Sequence, residues 1–182
     1  MILAAGLGTR LRPLTDNRPK ALVEVAGRTL LEITLSRLRV FGIGEVIINV
    51  HHFADMIMEY LKANDNFGMR IEVSREEVLL DTGGGLKKAA WFFGDEPFIL
   101  HNVDVMSTID LGRMVQFHTE NQALATLAVK DRQTSRPLFF DHQLQLCGWR
   151  SSQQGRALAF SGIHVISPRL LPMMIEEGVF SI

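Results

Sequence analysis

The chain has 182 residues, 19 Lys+Arg against 20 Asp+Glu, 47% hydrophobic and 21% charged residues. That length fits a single domain, and such an apolar share excludes a disordered chain. No apolar run approaches the ~20 residues that span a bilayer, and a net charge of −1 excludes a general nucleic-acid binder, which needs a basic surface.

The predicted elements alternate. Met1–Ala5 is an apolar run ending in glycine and reads as a buried strand. Thr29 starts a helix through Phe41, with Thr29 and Glu32 as a capping box and Leu30, Leu31, Leu35, Leu38 and Phe41 as its apolar face. Gly42 and Gly44 close it, and Glu45–Val50 is the next strand. Phe53–Ala63 is expected as a helix, Arg70–Ser74 as a strand, and Gly85–Phe93 as a helix entered through three glycines. Phe98–Asn102 is a buried strand, followed by a helix from about Leu111 to Asn121. Ala123–Val129 and Leu158–Ile166 read as strands with a short hairpin near Leu138–Leu146, and Ser167-Pro168 opens a last helix. Strands alternating with helices predict an α/β fold, a Rossmann-like, mostly parallel sheet in a three-layer α/β/α arrangement. Ligands in such sheets bind beyond the carboxyl ends of the strands. The loops to inspect are therefore Gly6–Lys20, Val50–Phe53, Leu79–Gly85 and Asn102–Ser107.

The first of these loops is the most informative. Leu3-Ala4-Ala5-Gly6-Leu7-Gly8-Thr9-Arg10 leaves the strand through two glycines, which let backbone N–H groups approach a phosphate. Residues 9–20 carry Arg10, Arg12, Arg18 and Lys20 against Asp16 alone, which fits a small polyanion. A glycine-rich turn with surface basic residues is the competing reading. The Walker pattern is absent, and the dinucleotide pattern fails because Leu11 replaces its third glycine and Pro13 and Pro19 bar a regular helix. A nicotinamide cofactor is not expected on that ground.

The run Leu3-Ala4-Ala5-Gly6-x-Gly8-Thr9-Arg10-x-Arg12-Pro13-Leu14-Thr15 with Pro19-Lys20-Ala21-Leu22 closely resembles the signature of the sugar-1-phosphate nucleotidyltransferases. The resemblance extends through Leu79-Leu80-Asp81-Thr82-Gly83-Gly84-Gly85, Asn102-Val103-Asp104 and Phe160-Ser161-Gly162. It implies the nucleotide-diphospho-sugar transferase fold and transfer of a nucleotidyl group from an NTP to a sugar-1-phosphate. The attacking phosphate is already ionised, so catalysis rests on alignment and charge neutralisation. The resemblance implies Arg10, Lys20 and Asp104 as catalytic residues, with Asp104 ligating Mg²⁺. It implies nucleotide contacts from Ala4, Ala5, Gly6, Gly8, Thr9, Glu77, Thr82, Gly83, Gly84 and Asn102, and sugar-phosphate contacts from Ser161 and Gly162. Val103 stands where the family often has glycine. The TGGG loop and the Asn49-Val50-His51-His52 strand end most resemble small bacterial uridylyl- and guanylyltransferases acting on N-acetylmuramate-1-phosphate or mannose-1-phosphate, enzymes of cell-envelope polysaccharide precursors.

The remaining polar and aromatic groups read as structural. His51 and His52 point to opposite sides of an extended chain and make a poor joint metal site. His101 is expected as a satisfied core histidine and His118 as a solvated one. Met173-Met174 and Trp91-Phe92-Phe93 are expected as core packing. Relatives carry a second metal-binding aspartate, yet none follows Gly162, the first strand is short, and the stretch between Trp149 and Leu158 reads as a loop with residues missing. The chain is therefore expected to be one nucleotidyltransferase domain, 1–182, incomplete at its C-terminus. With a single cysteine, Cys147, and no basic leader after Met1, a cytoplasmic protein without a signal peptide is expected. Two alternatives stay open: a non-catalytic nucleotide-sugar-binding regulatory relative, and a nucleotidyltransferase whose acceptor is an alcohol phosphate.

Overall fold

The computed structural model describes residues 1–149 and 155–182. Strand β1 is Ile2–Leu3, and a two-stranded ribbon of β2 (Glu24–Val25) and β3 (Arg28–Thr29) precedes helix α1 (Leu30–Val40). The Thr29 hydroxyl accepts the Glu32 N–H at 3.0 Å, so the predicted cap forms, but the Glu32 carboxylate takes Arg28 instead of closing the box. Strand β4 (Glu45–Val50), helix α2 (Ala54–Ala63) and strand β5 (Arg70–Arg75) follow, then α3 (Asp81–Lys88), β6 (Phe98–Asn102) and α4 (Leu111–Glu120). The chain continues through β7 (Ala125–Lys130), the hairpin β8 (Leu138–Phe140) and β9 (Leu146–Trp149), and the long β10 (Arg156–Ile166). Ser167-Pro168 opens a 3₁₀ turn over Pro168–Met173 in place of an α-helix; Pro172 lies inside it and denies the backbone N–H that an α-helix needs there. The reading of missing residues between Trp149 and Leu158 lies largely outside the described residues.

The central sheet runs β5-β4-β1-β6-β10-β8-β9, with β7 on the other edge of β10. The β5-β4-β1-β6 half is parallel, whereas β10 is antiparallel to β6, β7 and β8. From β1 the chain adds strands first on one side, β4 and β5, and then on the other, β6. The carboxyl ends of β1 and β6 therefore flank a switch point, where open α/β sheets bind ligands.

Alternation along the strands divides the core. Ile2, Ile48, Val50, Ile163 and Val165 pack with Leu31, Leu35, Ile57 and Met114 from α1, α2 and α4 on one face. Leu3, Ile47, Leu100 and Ile166 pack with Leu86 and Ala89 at α3 and with Met174 on the other. The result is the expected three-layer α/β/α arrangement. Among the described residues no helix is long and apolar enough to cross a membrane.

Sequence expectations fail at three places in this core. The three glycines do not precede a helix: Gly83, Gly84 and Gly85 are buried inside α3. His118 is 1% exposed, because it lies at helical spacing from Leu111 and Met114 on the buried face, and its Nδ1 meets the Thr126 hydroxyl at 3.0 Å. Trp91 and Met173 are exposed, while Phe92, Phe93 and Met174 do pack on the core.

Candidate active site at the switch point

The loop after β1 is built around its turn residues. Ala4 and Ala5 are buried, and Gly8 takes a left-handed conformation with φ 67°, which a Cβ would strain. The Gly8 carbonyl accepts the Thr15 hydroxyl at 2.9 Å and the Leu11 N–H at 2.8 Å, so the loop folds back on itself. Thr9 and Arg10 stand exposed on the resulting 3₁₀ turn. Lys20 opens a second turn whose next residues, Ala21 and Leu22, are buried and anchor it. Its ammonium lies beside the Gly6 backbone, where a Cβ would be 3.5 Å from Nζ.

The opposite wall comes from β6 and β10. Lys20 Nζ is 3.4 Å from Asp104 Oδ2, with the two side chains 15% and 33% exposed. The loop's cation and the aspartate beyond β6 thus meet across the switch point. Val103, in the place of a family glycine, has its side chain wholly buried in the core, so it does not crowd the cleft. Register shifts in β10 between Phe160 and His164, and Gly162 there has φ 79°. A Cβ on Gly162 would lie 2.6 Å from Val105 Cγ2 and 3.0 Å from Asn102 Nδ2. The bulge therefore brings Gly162 against Asn102 and against Val105 of the Asp104 turn. Arg37 of α1 braces that turn from behind, donating to the Ser107 and Ile109 carbonyls.

The third segment is α3. Glu77 is exposed, while its neighbour Glu76 is 2% exposed. Thr82 is half-buried, and its hydroxyl accepts the Ile182 N–H at 3.2 Å. The close approach that three glycines imply is made by the chain itself. Gly83 and Gly84 donate to the Phe180 carbonyl at 2.9 and 3.2 Å, and Cβ atoms on them would strike Phe180 and Gly178. Gly85 faces Asn49 and Glu76. Sequence reasoning passed over this Asn49–Glu76 pair; an asparagine inside the apolar run EVIINV is the signal that could have found it, because buried amides demand partners.

His101 and His164 lie behind the cleft, and burial pushes both down to about 4. His101 Nδ1 meets the Asn102 carbonyl at 2.8 Å, but Nε2 has no partner among the described residues, so this core histidine is only half satisfied. His118 is also lowered by burial. It lines a recess of about 620 Å³ with Asp95, Ser167 and Arg169 at the amino end of β6, remote from the Lys20–Asp104 contact. No group of three or more His, Cys, Asp or Glu placed to hold a metal occurs among the described residues. Mg²⁺ requires no such cage: it binds through one or two carboxylates together with water and substrate phosphates, and Asp104 fits that donor set.

The chain is similar to known proteins in sequence and in fold. The chain is 49% identical over 107 residues to the N-acetylmuramate alpha-1-phosphate uridylyltransferase of Caulobacter vibrioides, covering 57% of this chain and 44% of that protein. It is 35% identical over 127 residues to the mannose-1-phosphate guanylyltransferase of Mycobacterium tuberculosis, covering 70% of this chain and 35% of that protein. The matched stretches thus span less than half the length of these two relatives. The crystal structure of HddC from Yersinia pseudotuberculosis complexed with GMP-PN superposes with a TM-score of 0.83 over 99% of this chain and 80% of that one, at 23% identity, which shows a shared fold. The model of the nucleotidyl transferase family matches residues 1–138, from β1 and its glycine loop to the start of β8. A chain that carries this loop, this switch point and this match belongs to the nucleotidyl transferase family.

Proposed function

We propose that residues 1–182 form one nucleotidyltransferase domain that joins an NTP and a sugar-1-phosphate into an NDP-sugar and pyrophosphate. The observation that carries this reading is the Lys20–Asp104 contact at the β1/β6 switch point, with the glycine loop on one side and Gly162 on the other. A phosphate oxygen of the sugar-1-phosphate attacks the α-phosphorus in line. The bond from α-phosphorus to the bridging oxygen breaks, and pyrophosphate leaves with that electron pair. Both reactants are anions, so their approach is the obstacle, and fixed positive charge lowers it.

The backbone of Gly6 and Gly8, with Thr9, cradles the nucleotide phosphates, and Ala4 and Ala5 form the buried start of that loop beside the nucleotide. Lys20 holds the two reacting phosphates together, and Arg10 closes on the β- and γ-phosphates. Asp104 would hold Mg²⁺, which when bound would neutralise and orient phosphate oxygens. Glu77 and Thr82 flank the base, Gly83 and Gly84 shape that segment from inside by packing on Phe180 and Gly178, and Asn102 flanks the nucleoside sugar. Ser161 and Gly162 receive the acceptor sugar, because the missing Cβ on Gly162 lets β10 close on Val105 and Asn102 and so sets the strand beside the Asp104 turn. Similarity to a uridylyltransferase and a guanylyltransferase supports UTP or GTP as the donor, and N-acetylmuramate-1-phosphate or mannose-1-phosphate as the acceptor. Substrates of this kind favour a cytoplasmic, bacterial enzyme of cell-envelope precursor synthesis.

Pyrophosphate release from each of four NTPs, with a panel of sugar-1-phosphates and alcohol phosphates, tests the reading. Release with one NTP and a sugar-1-phosphate, lost in Asp104→Ala and Arg10→Ala, is expected. Release only with alcohol phosphates would overturn the acceptor class. Nucleotide binding without release would favour a non-catalytic binding protein.

A further inference from the structure

The phosphate loop starts at Ala4, after β1, and the α3 segment at Leu80, after β5, yet a buried polar chain joins them. Asn49, near the end of β4, is 2% exposed, and its Oδ1 accepts the Ala4 N–H at 2.8 Å. That bond fixes the amide's orientation, leaving Nδ2 to donate to Glu76 Oε1 at 2.7 Å. The second oxygen of Glu76 accepts the Leu80 N–H at 3.0 Å, and the Glu76 carbonyl is 2.9 Å from His51 Nδ1. A Cβ on Gly85 would lie 2.7 Å from both Asn49 Nδ2 and Glu76 Oε1, so α3 is pressed directly onto the pair.

The polarity of this chain is demanding. Both ends are backbone donors, so the two side chains must present acceptors outward and still match donor to acceptor in the middle. Two amides oriented to accept at both ends would set NH₂ against NH₂, and two carboxylates would set oxygen against oxygen. One amide and one carboxylate satisfy every position, in either order.

We infer that Asn49 and Glu76 are a positioning pair that couples the phosphate loop to the α3 segment and so sets the spacing at which one nucleoside triphosphate is gripped by both. The inference rests on the nucleotide reading above. Neither residue touches the reacting atoms; each acts through the backbone it holds.

The test uses the full chain with Glu76→Gln, Asn49→Asp and the double variant, which reverses the amide and the carboxylate and restores every bond. Amide hydrogen exchange reads the coupling without activity. Glu76→Gln is expected to speed exchange at the Ala4 amide, which Glu76 does not touch, by about tenfold, as loss of a buried charged hydrogen bond predicts. Calorimetric affinity for UTP and GTP should fall by about tenfold in each single variant, while inorganic tripolyphosphate, which needs only the phosphate loop, should change by less than about threefold. The double variant should regain both. Unchanged exchange at Ala4 in Glu76→Gln would overturn the inference, as would a double variant as impaired as the singles or a parallel loss of tripolyphosphate affinity. If the unaltered chain binds neither UTP nor GTP, the nucleotide reading fails, and exchange at Ala4 still decides the coupling.

Discussion

Two glycine-rich segments, Gly6–Gly8 and Gly83–Gly85, use the same residue for opposite ends. In the first, Gly6 and Gly8 lie half-buried beside exposed Thr9 and Arg10, and the backbone faces a cleft lined by Lys20 and Asp104. In the second, all three glycines are buried, and the space their missing side chains leave is taken by Phe180, Gly178, Asn49 and Glu76. A run of glycines therefore announces a close approach, and burial decides whether a ligand or the protein itself makes it. The first segment is left open to the cleft, and the second is a packing joint held shut.

Substitutions should separate the two. The largest effect is expected on the open side: Asp104→Ala and Lys20→Ala should each lower pyrophosphate release by about 10²–10³-fold, as for loss of a charge that stabilises a transition state. Their side chains are partly exposed, so thermal unfolding should change little, and a large drop in melting temperature would move them from chemistry to structure. Next comes acid, which strikes the core behind the cleft. The unfolded chain protonates histidine near 6.5, whereas burial holds folded His101 and His164 down to about 4. Their contribution is full above pH 6.5 and is lost progressively as pH falls from there through 4, at about 3 kcal/mol for each. Urea unfolding between pH 4 and 7 measures it, and His164→Leu should flatten the slope. A flat profile in the unaltered chain would show that these rings protonate without unfolding it.

Smaller again is the contrast between the glycines themselves. Gly85→Ala should cost about 2 kcal/mol of stability, because its Cβ meets two engaged polar atoms. Gly6→Ala has its nearest neighbour, Lys20 Nζ, at 3.5 Å and should cost less than about 0.5 kcal/mol while still impairing transfer. Equal stability losses would erase the distinction between open and shut segments. The smallest effect belongs to Arg12, paired with Asp16 at 3.5 Å on the exposed rim: Arg12→Ala should shift stability by no more than about 0.5 kcal/mol in denaturant titration.

Periodicity made most of the fold legible. Glu45–Val50 and Phe98–Asn102 match their strands residue for residue, and Thr29 caps α1 as its spacing predicts. The Lys20 and Asp104 loops were legible because both follow strands that the alternation locates. The glycine triplet was not, since glycine is a poor helix former and only contact with residues 178–180 selects a helix there. His118 was misread from its polar neighbours, although its spacing from Leu111 and Met114 already placed it inward. Glu76 was hidden by Glu77: two adjacent carboxylates look alike in sequence, and only the tertiary placement of Asn49 assigns one to the interior.

The reversal of direction between β6 and β10 has a consequence for how specificity can change. The loops proposed to hold the nucleotide hang from the parallel strands β1, β5 and β6, whereas Ser161 and Gly162 arrive on a strand running the other way, whose remaining partners are β7 and the β8–β9 hairpin. In the proposed function, donor and acceptor recognition therefore occupy separate stretches of chain that meet at the β6–β10 seam. An insertion or exchange within residues 125–160 can reshape the acceptor half while the donor half keeps its register, so new acceptor specificity is accessible without rebuilding the chemistry.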